Sequence, residues 1–113
     1  MSSEREQLRL NDIITNIDRI NTYIGGMSFA DFSADPTRVD AVERCLQRIT
    51  EAVIKVGPQR MAEIAPDFPV AAVRGLDNLL RHDYDRVSLQ IIHATVTDRL
   101  PSLRSWCVRA LET

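Results

Sequence analysis

A chain of 113 residues with 44% hydrophobic content can bury one core and is too short for a second, so a single domain over 1–113 is expected. Fourteen Lys and Arg against sixteen Asp and Glu give a formal charge of −2, which excludes a broad positive surface; any affinity for nucleic acid must come from a local pocket. Cys45 and Cys107 stand singly and far apart, which excludes a disulfide framework and a paired metal signature and fits a reducing cytosol.

No charged-then-apolar leader opens the sequence, and no apolar run approaches the roughly 20 residues that cross a bilayer. A soluble, cytoplasmic protein without a membrane partner is therefore expected. The first long element runs from about Arg5 to Ile24, where Leu10, Ile13, Ile14, Ile17, Ile20 and Ile24 follow helical spacing; Gly25 and Gly26 stop it. "SFADF" predicts a short helical turn begun by Ser28, with Asp31 three residues on completing an approximate capping arrangement. Asp35 as cap and Pro36 at the first helical position open the next helix. Its stripe is Val39, Val42, Leu46, Ile49 and Val53, and Gly57 and Pro58 end it.

"PQRMAEIAPDFP" reads as a short helix and a turn within the same domain. A third long helix is expected from about Val70 to His82 or beyond. A fourth starts near Ser88 with Leu89, Ile92, Val96 and Leu100 in register; Pro101 either kinks it or opens a final helix to about Leu111. Nothing reads as a strand or a repeat. The fold class is all-α, an antiparallel bundle of four to five main helices.

"VRGLDNLLRHDYDRV", residues 73–87, concentrates the polar chemistry. At about 100° per residue, Val73, Leu76, Leu79 and Leu80 share one side, while Arg74, Asn78, Arg81 and Asp85 share the opposite one. His82 falls at the edge of that polar stripe and Tyr84 near the other border, beside Asp77. A solvated helix face is the plain interpretation. Against it, an Asn in mid-helix is a weak helix former, so Asn78 suggests a hydrogen-bonding duty. Arg81 beside His82 favours a neutral imidazole able to act as a base, and Asp83 and Asp85 work the other way.

"DAVERCLQRITEAV", then "VRGLDNLLRHDYDRV", then "LP" resemble the HepT-like HEPN proteins, the ribonuclease toxins partnered by minimal nucleotidyltransferase antitoxins. The likeness covers nearly the whole chain, including an opening helix that ends in "YIGGMSFADF". Its most specific piece is the spacing of Asn78, His82 and Tyr84, supported by Asp40, Arg44, Glu51 and Gly75. The resemblance implies a homodimer in which two motif helices meet in a cleft that cuts RNA without metal or other cofactor. His82 would be the general base or acid, Arg81 or Arg74 would hold the phosphate, and Asn78 would orient it. Tyr84 would accept AMP from the nucleotidyltransferase partner, filling the cleft with bulk and negative charge. The alternative is a catalytically inactive HEPN dimer that binds a nucleotide or the nucleotidyltransferase.

One position departs from the family pattern, which has an arginine directly before the asparagine where this chain has Asp77. Arg81, one turn after Asp77, or Arg74, one turn before Asn78, could return a guanidinium to that face; alternatively, Asp77 repels the phosphate. Other chemistry is poorly supported. His82 and His93 are too widely spaced for a helical zinc motif, and His93 among Ile91, Ile92 and Val96 suits a partly buried, hydrogen-bonded role. "YIGGM" lacks the lysine of a phosphate loop, Cys45 suits packing, and Cys107 has no histidine nearby to activate it. For Arg44 two roles remain open, support of the cleft or anchorage of a buried carboxylate such as Glu51; Arg48 suits an ordinary surface pair.

Overall fold

A computed structural model describes residues 3–69, 73, 75–78 and 86–113, with the side chains of residues 86 and 87 left out. All regular structure among them is helical: α1 (Glu4–Ile24), α2 (Phe29–Ser33), α3 (Pro36–Val56), α4 (Pro58–Ile64), a helical stretch at 73 and 75–78, α5 (Arg86–Asp98) and α6 (Leu100–Leu111). The third predicted long helix, 70–82, thus falls largely outside the described residues, and its described part is helical.

Two helix starts, at Ser28 and Asp35, are those the sequence advertises, and Ser3, not singled out there, caps α1. Ser3 Oγ accepts from Glu6 N at 3.1 Å, Ser28 Oγ from Asp31 N at 3.2 Å, and Asp35 Oδ1 from Arg38 N at 3.2 Å, each satisfying an amide that helix geometry leaves without a partner. Pro101 opens a helix. Arg99 interrupts the regular helix, yet Arg99 N still donates to Thr95 O and Leu103 N to Arg99 O, so α5 and α6 follow each other with a one-residue break. At the end of α1, a Cβ on Gly25 would stand 2.8 Å from Asn21 O, and Gly26 has φ of 79°; both turn positions therefore call for glycine.

The centre of the molecule is the α1–α3 pair, which runs antiparallel: Arg60 and Lys55 lie near the start of α1, and Arg38, at the start of α3, donates to Tyr23 O near α1's end. Leu10, Ile13, Ile17 and Ile20 of α1 interlock with Val42, Leu46, Ile49 and Val53 of α3, all essentially buried. Phe32, Met61, Ile92, Leu103 and Cys107 close the core from α2, α4, α5 and α6. Polar ties fix the outer helices. Arg104 forks onto Asp18 at 2.7 and 3.2 Å, Arg60 onto Glu6 at 2.6 and 3.2 Å, and Trp106 Nε1 donates to Asp67 at 2.6 Å while Arg109 lies over its ring.

His93 takes the role its neighbours suggest. It is half-buried on α5 between Phe29 and Phe32, with ring centroids 5.8 and 5.7 Å away, and its Nε2 is 2.9 Å from Met27 O. That ring pins α5 to the turn after α1.

Candidate functional site

Four of the residues expected to act, His82, Tyr84, Arg81 and Arg74, lie outside the described residues. The described part of the motif helix keeps the predicted sidedness: Val73 is buried, Leu76 half-buried, and Gly75 and Asn78 are exposed. Asn78 is thus exposed on a helix whose apolar side is docked.

Asp77, the residue that departs from the family pattern, is turned toward α3. Its Oδ1 is 3.5 Å from Thr50 Oγ1, and that hydroxyl donates to Gln47 O at 2.9 Å. A hydroxyl has one proton, so the shorter bond to the backbone holds it and the contact with Asp77 is weak. Asp77 also lines a groove of about 490 Å³ with Arg44, Gln47, Glu51, Ile54 and Lys55. These α3 residues recur at three- and four-residue intervals, which places them on one face.

Two of the supporting residues, Arg44 and Glu51, thus meet the motif helix in one groove. Asp40 does not line it; it is exposed one turn earlier on α3, where its charge, after burial, helps raise the Glu43 carboxyl above the ordinary range. Glu51 is not a buried carboxylate anchored by Arg44. It is exposed, Lys55 Nζ bonds its Oε1 at 2.8 Å, and that hydrogen bond holds its pKa below the usual value. Arg44 instead donates to Gln47 Oε1 at 3.1 Å, leaving the rest of its guanidinium on the groove. Thr50, Gln47 and Lys55 were not singled out in the sequence. The period of α3 could have flagged Gln47 and Lys55, which continue the Asp40, Arg44, Glu51 stripe.

Both cysteines are buried and unsuited to nucleophilic work. Burial pushes the Cys107 thiol up to about 12, and the same cause raises Cys45. Among the described residues no group of three or more His, Cys, Asp or Glu is placed to hold a metal ion, and no helix is long and apolar enough to cross a membrane.

The family described as "Ribonuclease HepT-like" matches residues 13–110. Among curated relatives, "Putative RNase TTE0752" of Caldanaerobacter subterraneus subsp. tengcongensis is 31% identical over 83% of this chain and 83% of its own length. "Probable ribonuclease HepT" of Thermococcus cleftensis is 30% identical over 84% of this chain and 86% of its own. No solved structure matches the chain. The all-helical bundle, the family match over most of the sequence and these relatives agree: this chain belongs to the HepT-like ribonuclease family of HEPN proteins.

Proposed function

We propose that the protein is a metal-independent endoribonuclease, the toxin of a toxin–antitoxin pair. Its cleft forms between two copies of the chain, and a cognate nucleotidyltransferase silences it by attaching AMP to Tyr84. The observation that carries the reading is the family match over residues 13–110, a range that contains Asn78, His82 and Tyr84, whose spacing resembles the family's.

The chemistry follows from those residue types. His82 takes the proton of a ribose 2′-hydroxyl, the oxygen attacks the adjacent phosphorus, and the 5′-oxygen leaves with a proton, giving a 2′,3′-cyclic phosphate and a 5′-hydroxyl end. Negative charge accumulates on the non-bridging oxygens in the transition state. Asn78 and a guanidinium from Arg81 or Arg74 stabilise it, and the two-fold axis brings a second set of these groups to the same cleft. AMP on Tyr84 places a phosphate where the RNA backbone would pass, so bulk and like charge both oppose substrate.

The test is cleavage in excess chelator. Purified protein cuts RNA and the His82→Ala variant does not; equal residual activity in both would mark a contaminant and remove the reading. A second reading, an inactive dimer that binds a nucleotide or the nucleotidyltransferase, is favoured by one observation: Asp77 sets a carboxylate on the groove beside Asn78. Binding of either ligand by a protein that never cuts RNA would select it.

A further inference from the structure

The groove that Asp77 shares with α3 has two unlike walls. Arg44, Gln47, Glu51, Ile54 and Lys55 come from α3 and Asp77 comes from the motif helix, around a space of about 490 Å³. That is the size of pockets that hold small organic groups. Two cations stand against two carboxylates, so the groove offers no surplus charge to a bare phosphate. What it offers instead is a hydrogen-bond acceptor on one wall and donors on the other.

Three contacts fix where these groups stand. Asp77 Oδ1 is 3.5 Å from Thr50 Oγ1, which sets the carboxylate midway along the groove, between Arg44 and Lys55. Arg44 Nη1 donates to Gln47 Oε1 at 3.1 Å, one turn along α3, so the guanidinium leans toward the level of Asp77. Arg44 forms no ion pair among the described residues, and its other N–H groups are left to the groove. At the far end Lys55 holds Glu51 at 2.8 Å, and the two charges largely cancel. Ile54, 49% exposed, adds an apolar surface to the same wall.

A carboxylate accepts hydrogen bonds and donates none, so a ligand that meets Asp77 must bring the protons. Two donors side by side match its two oxygens best. Among the RNA bases guanine alone carries such a pair, N1–H and the N2 amino group, and its adjoining O6 and N7 accept from an arginine. Uracil sets a single N–H between two carbonyl oxygens, which a carboxylate repels. Adenine and cytosine each place an acceptor nitrogen next to the amino group. The phosphates of any strand are repelled as well, so the carboxylate that weakens backbone binding is the one that selects the base.

We propose that this groove reads a guanine of single-stranded RNA: Asp77 accepts from N1–H and N2, Arg44 donates to O6 and N7, Gln47 holds Arg44 in place, and Ile54 lies against the base. The proposal rests on the ribonuclease reading for the source of the base and adds to it a sequence preference. It also gives the residue that departs from the family pattern a duty of its own. Asp77→Arg then exchanges base selectivity for backbone affinity, and faster cleavage comes with the guanine preference gone.

The test is binding by the full chain in chelator, read by fluorescence anisotropy on a short 2′-O-methyl oligouridine with one variable central base. Lacking the attacking hydroxyl, the strand stays intact. Native protein is expected to bind the guanosine strand about tenfold more tightly than the adenosine strand, the scale of one bidentate base contact. Inosine, which lacks the N2 amino group, should lose most of that gain, and 7-deazaguanosine, which lacks N7, part of it. Neither needs a change in the protein. Asp77→Asn and Arg44→Gln should each flatten the preference, with circular dichroism checking that both variants fold. A native protein indifferent to the base, or a guanosine preference that survives both inosine and Asp77→Asn, overturns the proposal. Guanosine 5′-monophosphate that competes as tightly as the strand overturns RNA as the source of the base. Cleavage of ordinary RNA, run alongside, separates the two ideas: cutting by a protein that binds every base alike refutes the guanine site alone, whereas a guanine preference in a protein that never cuts refutes the ribonuclease alone.

Discussion

The Asp77 carboxylate stands 3.5 Å from the hydroxyl of Thr50, a buried residue whose proton is already given to Gln47 O. The bond from Thr50 is therefore weak, and the Asp77 carboxylate sets a negative charge on the groove it shares with Arg44 and Lys55. Replacing it should help a polyanion approach. Asp77→Arg is expected to raise kcat/KM on RNA at least about tenfold, the scale of one added phosphate contact that acts in the transition state. Single-turnover cleavage at fixed low salt measures it. An unchanged rate would assign the phosphate-holding duty to Arg81 or Arg74 as the chain stands.

Modification is expected at one hydroxyl. Co-expression with a nucleotidyltransferase should give a mass increment of one or more AMP units on the peptide that contains Tyr84, together with loss of RNA cleavage. Tyr84→Phe should escape both. A phenylalanine variant modified to the native extent would move the acceptor elsewhere.

Core packing sets the stability. Leu46 is 1% exposed on α3 against α1, and Leu46→Ala should cost about 2–5 kcal/mol, as for other buried leucines whose surroundings relax only partly. Urea denaturation monitored by circular dichroism measures the loss. Ile54→Ala on the same helix, where the side chain is 49% exposed, should change the midpoint far less.

A pH dependence follows from the tie between α1 and α6. The hydrogen bond from Arg104 holds the Asp18 carboxyl below its ordinary value of 3.8, so the pair adds stability above that value and loses it as pH falls through the lowered folded value. Both groups are largely exposed, so the contribution is under about 1 kcal/mol. Arg104→Ala should lower the urea midpoint slightly near neutral pH, and the gap to native should close as pH falls through the lowered Asp18 value. A gap that stays constant into acid would mean that Arg104 acts through packing alone.

The architecture was legible wherever it depends on local period or punctuation. The apolar stripes of α1 and α3 and the caps at Ser28 and Asp35 are each written along one continuous stretch of chain and occur where the sequence puts them, and of the two roles left open for Pro101 the helix start is the one found. Even the half-buried, bonded state of His93 could be read from its apolar neighbours. Its partner at Met27 O could not, because that contact joins residues 66 apart. The candidate site divides the same way. Asn78 faces outward as the helical wheel requires, whereas Glu51, which one of the two roles left open for Arg44 would have buried, is exposed and pairs with Lys55 four residues on. Burial of a carboxylate depends on which helix covers it, and spacing along one helix does not carry that. The meeting of Asp77 with Thr50, across 27 residues, lies beyond periodicity for the same reason.

The chain's single tryptophan sits in a place where light can follow the structure. Trp106 gives its indole proton to Asp67 at 2.6 Å and lies under the guanidinium of Arg109, so the ring bridges α6 and the turn after α4. Its emission thus reports directly on whether the carboxy-terminal helix is seated, and a red shift during unfolding dates the departure of that helix without any attached dye.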